Sequence, residues 1–489
     1  MCLPLSMGDL SRFYWYSAAI IHAIIYPIET PVTTTAFSSL PLSADMLANL
    51  ESLGYSEMTP IQAQSLPLVL QGQDIIAKAK TGSGKTAAFG IALLEKLNVR
   101  FFGVQALVLC PTRELADQVA KEIRRLARLT HNVKVLTLCG GVSIGPQIGS
   151  LERGAHIVVG TPGRIVDHIA KGTLKLDSVN QLVLDEADRM LEMGFSEDID
   201  KVLDACNTDR QTLLFSATYP DDIKKISARC QRDPQMVSVE AIHSETNIEQ
   251  HFYELRADDE IYPAVLTVLA HFQPETSIAF CNTKIACDEL LDYLRDQGVN
   301  ALALHGDLEQ KERDQVLVRF SNRSCSVLIA TDVAARGIDI KGLDAVINVD
   351  LARDSEVHVH RIGRTGRAGE SGLALNLVVQ KEVHKINRLE DYMKQTIALE
   401  PLPQSDKKSL PLPTMVTLHI DGGKKDKLRP GDIIGALTKD AGLPFEKIGK
   451  IDMFDFSAYV AVDNSIARAA LKQLSDGKLK GRKFRARKL

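Results

Sequence analysis

The sequence predicts an α/β protein with two tandem domains, each a parallel sheet covered by helices on both faces, followed by a small α+β domain. Three observations predict it. At 489 residues the chain is too long for one core, so two or three domains are expected. Short β-rich apolar runs alternate with amphipathic helical patterns, and the alternation restarts midway, as it would for two βαβ sheets in series. Beyond residue 414 the pattern changes to strand-like alternation and the charge changes sign. Residues 415–489 hold 16 Lys+Arg against 9 Asp+Glu, and the rest holds 42 against 53. A basic module on an acidic body predicts that the tail meets a polyanion.

Residues 1–35 read as an extension outside the fold. The stretch 13–28 is apolar and aromatic and carries Trp15, His22 and Pro27. It is short for a membrane span, little positive charge precedes it, and no clear small-x-small site follows. Residues 36–240 make the first domain, with strands at 74–79, 106–110, 133–138, 156–160, 181–184 and 212–215 and a helix at 114–130. A break falls near 241–246. Residues 247–396 make the second domain, with strands at 277–281, 326–330, 345–349 and 373–379 and a helix at 284–297. Pro401, Pro403, Pro411 and Pro413 mark 397–414 as a linker. In 415–489, strands at 415–421, 458–462 and 483–487 and helices at 432–441 and 465–474 fit a β-α-β-β-α-β order. There Val416, Leu418 and Ile420 point inward, and His419, Tyr459 and Arg485 fall on the outer sheet face, with Tyr459 the obvious stacker for a base.

The composition, 45% apolar and 25% charged, is that of a soluble globular protein. The eight cysteines show no C-x-x-C spacing and no accompanying His cluster, and Cys110, Cys139 and Cys281 lie in apolar runs. They read as reduced core thiols of a cytoplasmic protein, with no zinc. No membrane partner is expected, and the protein is expected to be a monomer.

Two short strings carry the chemistry. In Ala79-Lys80-Thr81-Gly82-Ser83-Gly84-Lys85-Thr86 a strand leads in and a helix leads out. Successive N–H groups in such a turn form an anion nest, and the helix N-terminus adds a favourable dipole. Gly82 and Gly84 permit close backbone approach, Lys85 would neutralise the β and γ phosphates, and Thr86 Oγ1 would ligate Mg²⁺. Ala79 stands where the usual P-loop has its first glycine. The second string, Asp185-Glu186-Ala187-Asp188, ends a buried strand, where open α/β sheets place their ligands. Asp185 suits Mg²⁺, and Glu186 suits the attacking water. Together they predict hydrolysis of a nucleoside triphosphate.

With these residues in place, the chain resembles the DEAD-box ATP-dependent RNA helicases from about residue 36 to 393. The resemblance implies two RecA-like domains and an ordered set of motifs. Gly54-Tyr55-Ser56-Glu57-Met58-Thr59-Pro60-Ile61-Gln62, with Phe37 upstream, resembles the adenine-reading Q motif. Gln62 would face the N6/N7 edge and Tyr55 would stack on the base, which implies ATP. Pro111, Thr112 and Arg113, then Gly141, then Thr161 and Arg164, match the motifs that grip the RNA backbone. Ser216-Ala217-Thr218 matches the motif coupling hydrolysis to strand separation, and His360 is assigned to the same coupling. In the second domain Arg313 and Thr331 are implied RNA contacts, Asp339 a ribose ligand, and Arg364 and Arg367 the arginine fingers.

Residues 415–489 resemble the RRM-like RNA-binding domain of the bacterial DbpA subfamily, on Gly422-Gly423-Lys424-Lys425, 429–437, 448–451 and Gly477-Lys478-Leu479-Lys480-Gly481-Arg482. The resemblance implies a hairpin of 23S ribosomal RNA as anchor and a role in large-subunit assembly. Only Tyr459 remains of the usual aromatic signature, so Lys424, Lys425, Lys427, Lys480, Arg482, Arg485 and Arg487 are assigned to RNA as well. The alternatives are a general RNA-remodelling helicase with a nonspecific basic tail, an RNA clamp without turnover, and a DNA helicase. The presence of Lys85, Glu186, Arg364 and Arg367 argues against the clamp.

Overall fold

The computed structural model describes residues 35–79, 82–219, 221–239, 248–335, 342–366, 371–404, 410 and 412–489. The chain divides into two units between residues 242 and 243. Thr81, Asp339 and Arg367, and the break near 241–246, lie outside the described residues.

The first unit holds β1 (Ile75–Lys78), β2 (Ala106–Leu109), β3 (Val135–Leu138), β4 (Ile157–Gly160), β5 (Gln181–Leu184), β6 (Gln211–Ser216) and β7 (Gln235–Ser238). They form one parallel sheet in the order β3-β4-β2-β5-β6-β1-β7. β2 shows why its strands read as unbroken apolar runs. Ala106 and Val108 pack on one face against Phe89, Val119 and Ile123, and Leu107 and Leu109 pack on the other against Ile165, Ile199 and Val202. A strand buried on both faces has no polar side to show. β7 escaped the sequence reading for the opposite reason: it is an edge strand in which only Val237 is buried.

The second unit begins with β8 (Ile248–Leu255), β9 (Ser277–Cys281), β10 (Ala301–Leu304), β11 (Val327–Thr331), β12 (Ala345–Asn348), β13 (Gly372–Val379) and β14 (Leu399–Glu400). Their order is β10-β11-β9-β12-β13-β8-β14, again parallel. β14 falls in the stretch read as linker. Leu399 and Glu400 pair with Phe252 and Tyr253, and Leu402 and Leu410 pack on the domain's core, so the chain leaves this domain later than its prolines suggest.

The same unit ends with β15 (Met415–Ile420), β16 (Ile448–Met453), β17 (Ala458–Asp463) and β18 (Ala486–Lys488), an antiparallel sheet in the order β16-β17-β15-β18. Val416, Leu418 and Ile420 do face the core, with Val460, Val462, Ile433 and Leu474. The outer face is not open as expected. His419 is 3% and Tyr459 2% exposed, and Thr417 is fully buried. This face meets the second RecA-like domain: Thr417 Oγ1 lies 2.6 Å from Ser324 Oγ and accepts from Asn322 Nδ2 at 3.3 Å. Lys450 Nζ donates to Ser321 Oγ at 2.9 Å. Arg485 is exposed but precedes β18. All seven described cysteines are free and buried. Among the described residues no helix is long and apolar enough to cross a membrane.

Candidate nucleotide and RNA sites

Strand order places the motifs of the first unit. β1 and β6 are neighbours, and Ala79 N–H donates to Ser216 C=O at 3.1 Å. β5 lies between β6 and β2, with Asp185 N–H donating to Leu109 C=O at 3.0 Å. The triphosphate strings therefore share one half of the carboxyl edge. The other half carries the loops after β2, β3 and β4, which hold Pro111–Arg113, Gly141 and Thr161–Arg164.

The helix Lys85–Glu95 starts at Gly84, whose φ of +96° is left-handed. A Cβ there would sit 2.6 Å from Gln62 Nε2 and 2.8 Å from Thr59 Oγ1, so glycine is required on two counts. Lys85 is buried, yet its Nζ has no partner among the described residues, and the same holds for Ser83 Oγ and Asp185 Oδ1. Buried polar atoms without protein partners in this number around one loop suit a polar ligand such as a phosphate. Burial pushes the Asp185 carboxyl up to about 6, opposed by Lys85 and reinforced by Glu186 and Asp188. A cation at Asp185 would remove that penalty, and the donor set of Thr86 hydroxyl and Asp185 carboxylate fits Mg²⁺. Glu186 holds φ +52°, ψ +52°, an unfavourable conformation for a non-glycine residue that is kept at the start of the helix Ala187–Glu192.

The Q-motif residues sit differently from expectation. Gln62 is 1% exposed, and both ends of its amide are engaged: Oε1 accepts from Thr59 N–H at 2.9 Å and Nε2 donates to Gly84 C=O at 3.1 Å. It ties the Q-motif turn to the phosphate loop instead of facing open space. Phe37 is buried and meets Tyr55 edge-on at 6.1 Å, so it backs Tyr55. Tyr55 is half-buried, with its hydroxyl donating to Glu122 at 2.5 Å and the Arg125 guanidinium over its ring at 5.6 Å. Burial and Glu122 raise its hydroxyl to about 12.

Around the other half of the edge, Thr112 caps the helix Arg113–Leu126 through Leu115 N–H, and Arg113 reaches Gly140 C=O at 3.3 Å. Arg164 donates to Val142 C=O at 2.9 Å and to Gln147 Oε1 at 3.0 Å, bringing the loops after β3 and β4 together. Two residues of this network had no signal in the sequence. Gln147 also donates to Cys139 C=O, and buried His168 lies 3.0 Å from Gln147 Oε1. Asp188 is the other omission. Its carboxylate accepts from Ala217 N–H at 3.1 Å, Thr218 N–H at 2.9 Å and Thr218 Oγ1 at 3.0 Å, joining the two acidic and Ser-Ala-Thr strings. Its place three residues after Asp185 was the available hint.

In the second unit Arg313 donates to His305 C=O at 3.3 Å, and Thr331 ends β11 almost buried. His360 and Arg364 line a small cleft with Phe280 and Asp332. Arg361, between them, turns fully inward and bonds Asp332, Asn348, Asn282 and the Asp350 carbonyl. In the third domain Lys424, Lys425, Lys427, Lys480, Arg482, Arg485 and Arg487 are all exposed, and Tyr459 is not.

Residues 59–226 match the DEAD/DEAH box helicase family, 261–369 the helicase conserved C-terminal domain, and 417–488 the DbpA RNA binding domain. The chain is 52% identical over 456 residues to the ATP-dependent RNA helicase DbpA of Escherichia coli, covering 93% of this chain and 100% of that one. This chain belongs to the DEAD-box ATP-dependent RNA helicases, in the DbpA subfamily. It is 47% identical to the DEAD-box ATP-dependent RNA helicase CshA of Geobacillus kaustophilus, over 73% of this chain and 76% of that one. Among solved structures it is similar to S. cerevisiae Dbp5 bound to RNA and ADP BeF3, with a TM-score of 0.68 and 29% identity over 76% of this chain and 96% of that one. It is also similar to Mss116p bound to ssRNA and AMP-PNP, with a TM-score of 0.69 and 26% identity over 78% and 82%. The helicase thus uses ATP and acts on RNA, and its fold is two RecA-like domains followed by a small antiparallel-sheet domain.

Proposed function

We propose that this helicase is anchored to 23S ribosomal RNA by residues 415–489 and remodels short duplexes during assembly of the large ribosomal subunit, in the cytoplasm and as a monomer. The observation that carries the reading is the third domain. Its sheet face is closed against the second domain, and its exposed cations gather on the loops around Lys424 and Lys480, where a structured RNA can dock without passing through the sheet. The match of residues 417–488 to the DbpA RNA binding domain supports RNA as what this domain holds.

In the turnover we infer, Lys85 neutralises the phosphates and Glu186 orients the attacking water. Arg364 and Arg367 stabilise the transferring phosphoryl group, a contribution of about 10³–10⁵ in rate for such fingers. Mg²⁺, held by Thr86 and Asp185, would supply charge neutralisation at the phosphate oxygens. Tyr55 stacks on adenine, and Gln62 meets its edge after releasing Thr59 or Gly84. Asp339 takes the ribose. Lys85 and Glu186 belong to one unit and Arg364 to the other, so hydrolysis waits until ATP and RNA bring the units together, and ATPase activity depends on RNA. Arg113, Arg164, Arg313 and Thr331 hold the RNA backbone.

The test is steady-state ATPase with a 23S rRNA fragment containing the anchor hairpin, an unrelated RNA of equal length, and the DNA equivalent. Strong stimulation by the first alone is expected. Equal stimulation by both RNAs would make this a general RNA helicase with a basic tail. Lys85→Ala and Glu186→Gln should each abolish turnover, and activity persisting in both would remove the site assignment.

A further inference from the structure

The third domain has lost its sheet-face aromatic to burial but exposes another. Phe456, at the tip of the β16–β17 hairpin, is 73% exposed. The hairpin alternates: Phe454 turns in, edge-on to Tyr459 at 5.4 Å and 82°, and Phe456 turns out. The tip is held in place. Phe454 N–H donates to Ser457 C=O at 2.8 Å, closing the turn, and Lys424 N–H and Lys425 N–H donate to the carbonyls of Phe454 and Asp455, both at 2.9 Å. That backbone contact is built for glycine, since a Cβ on Gly423 would lie 2.3 Å from Phe454 O and 2.6 Å from Asp455 O. A third loop joins through Lys480 Nζ, which donates to Lys427 C=O at 3.0 Å.

Three loops joined by these contacts carry one exposed aromatic ring and the exposed cations Lys424, Lys425, Lys427, Lys480 and Arg482. None of these five has an ion-pair partner among the described residues. One exposed carboxylate, Asp455, shares the tip. A ring flanked by unpaired cations is the combination that binds single-stranded nucleic acid, the ring taking a base face and the cations the neighbouring phosphates. Charge selects this occupant over an apolar protein segment, which gains nothing from five cations at its border. We propose that Phe456 is a stacking platform for an unpaired base of the RNA held by the third domain, with Lys424 and Lys425 on the flanking phosphates. This rests on the reading that the domain anchors RNA.

The test uses the full chain without nucleotide, two fluorescein-labelled probes (an RNA hairpin with a single-stranded loop and a blunt RNA duplex), and fluorescence anisotropy. Phe456→Ala should weaken the hairpin by about tenfold and leave the duplex unchanged, with Phe456→Trp retaining affinity. Lys424→Ala with Lys425→Ala should weaken both probes and flatten the salt dependence. If Phe456→Ala changes neither probe while the lysine variant loses both, the platform is wrong and the anchor stands. If neither variant matters, the anchor falls too. Phe456→Ala weakening both probes equally would also overturn stacking. Phe456 is exposed, so its variants should keep the wild-type unfolding midpoint, which checks that binding alone has changed.

Discussion

Replacing Arg361 and replacing Arg364 should break the helicase in different ways, although the two residues lie one helical turn apart in one basic run. Arg361 is 2% exposed and uses all five of its N–H donors. Two go to the Asp332 carboxylate at 2.7 and 2.8 Å, one each to Asn348 and Asn282, and one to the Asp350 carbonyl at 2.7 Å. The Phe280 ring lies 5.1 Å away. Arg361→Met would fill similar space but strand Asp332, the buried amide of Asn348 and the partly buried amide of Asn282. Removing one partner of a buried ion pair costs about 3–5 kcal/mol. Asp332 keeps 21% of its side chain in contact with solvent, so the lower end, about 3 kcal/mol, is the better figure. Against a typical domain stability of about 5–15 kcal/mol that is a large fraction. The assay is urea unfolding followed by circular dichroism, because the sole tryptophan, Trp15, lies outside the described fold. With a slope of about 2–3 kcal/mol/M, the transition of the second domain should move down by about 1 M or more. Arg364→Met should leave that midpoint within about 0.5 kcal/mol and instead lower RNA-stimulated ATPase by about 10³. Arg361→Met unfolding at the wild-type midpoint would refute the reasoning.

Two further outcomes follow from the same unit. Burial, with help from the Arg361 charge, pushes the His358 imidazole down from 6.5 to about 4. The folded state thus keeps it neutral where the unfolded chain takes a proton, and its contribution to stability is present above about pH 6.5 and lost as pH falls toward 4. The loss should reach about 2 kcal/mol by about pH 5. Comparing wild type with His358→Gln across that window isolates it, and identical pH profiles would exclude it. Thr417→Val keeps the shape of the side chain but takes the acceptor from buried Asn322 Nδ2. It should loosen the contact between the second and third domains by about 1–2 kcal/mol, seen as faster hydrogen exchange in β15, and unchanged exchange there would mean the contact does not depend on this bond.

The sheets were legible where burial made strands monotonously apolar, as at β2, β5 and β9, whose residues are buried throughout. The unread strands β7, β8, β10, β14 and β16 lie at or near an edge, although the edge strands β3 and β18 were read. β8 reads Ile-Glu-Gln-His-Phe-Tyr-Glu-Leu because its first half is only partly covered, and β14 has two residues. The chemistry strings were legible because phosphate binding constrains residue type at fixed spacing. What local sequence could not carry was direction. Tyr459 alternates correctly to reach the outer face, but that face is closed where Thr417 beside it meets Ser324 and Asn322, nearly a hundred residues earlier in the chain. Phe37 and Gln62 likewise have the right identity, and only tertiary contact shows that one backs Tyr55 and the other binds the phosphate loop. Gln147 and His168, which order Arg164, have no local signature at all.

The sheet of the first unit explains why its ATP and RNA strings can work as one device. β5 ends in the acidic string and is the strand that separates the two halves of the carboxyl edge. On one side its Asp185 N–H bonds the end of β2, whose continuation carries Pro111–Arg113. On the other, Asp188 holds Ala217 and Thr218 beyond β6, and the β6 residue Ser216 bonds Ala79 at the start of the phosphate loop. Every step is a backbone hydrogen bond except that at Asp188, whose side-chain carboxylate is fixed by three donors from Ala217 and Thr218. Close-packed strands deform little, which leaves the loops and helix N-termini at this edge to absorb a change in phosphate occupancy. The left-handed Glu186 sits at the centre of that edge. Its strained backbone is tolerable because Asp185 and Asp188 fix the chain on either side, and Glu186 is also the residue assigned to the attacking water.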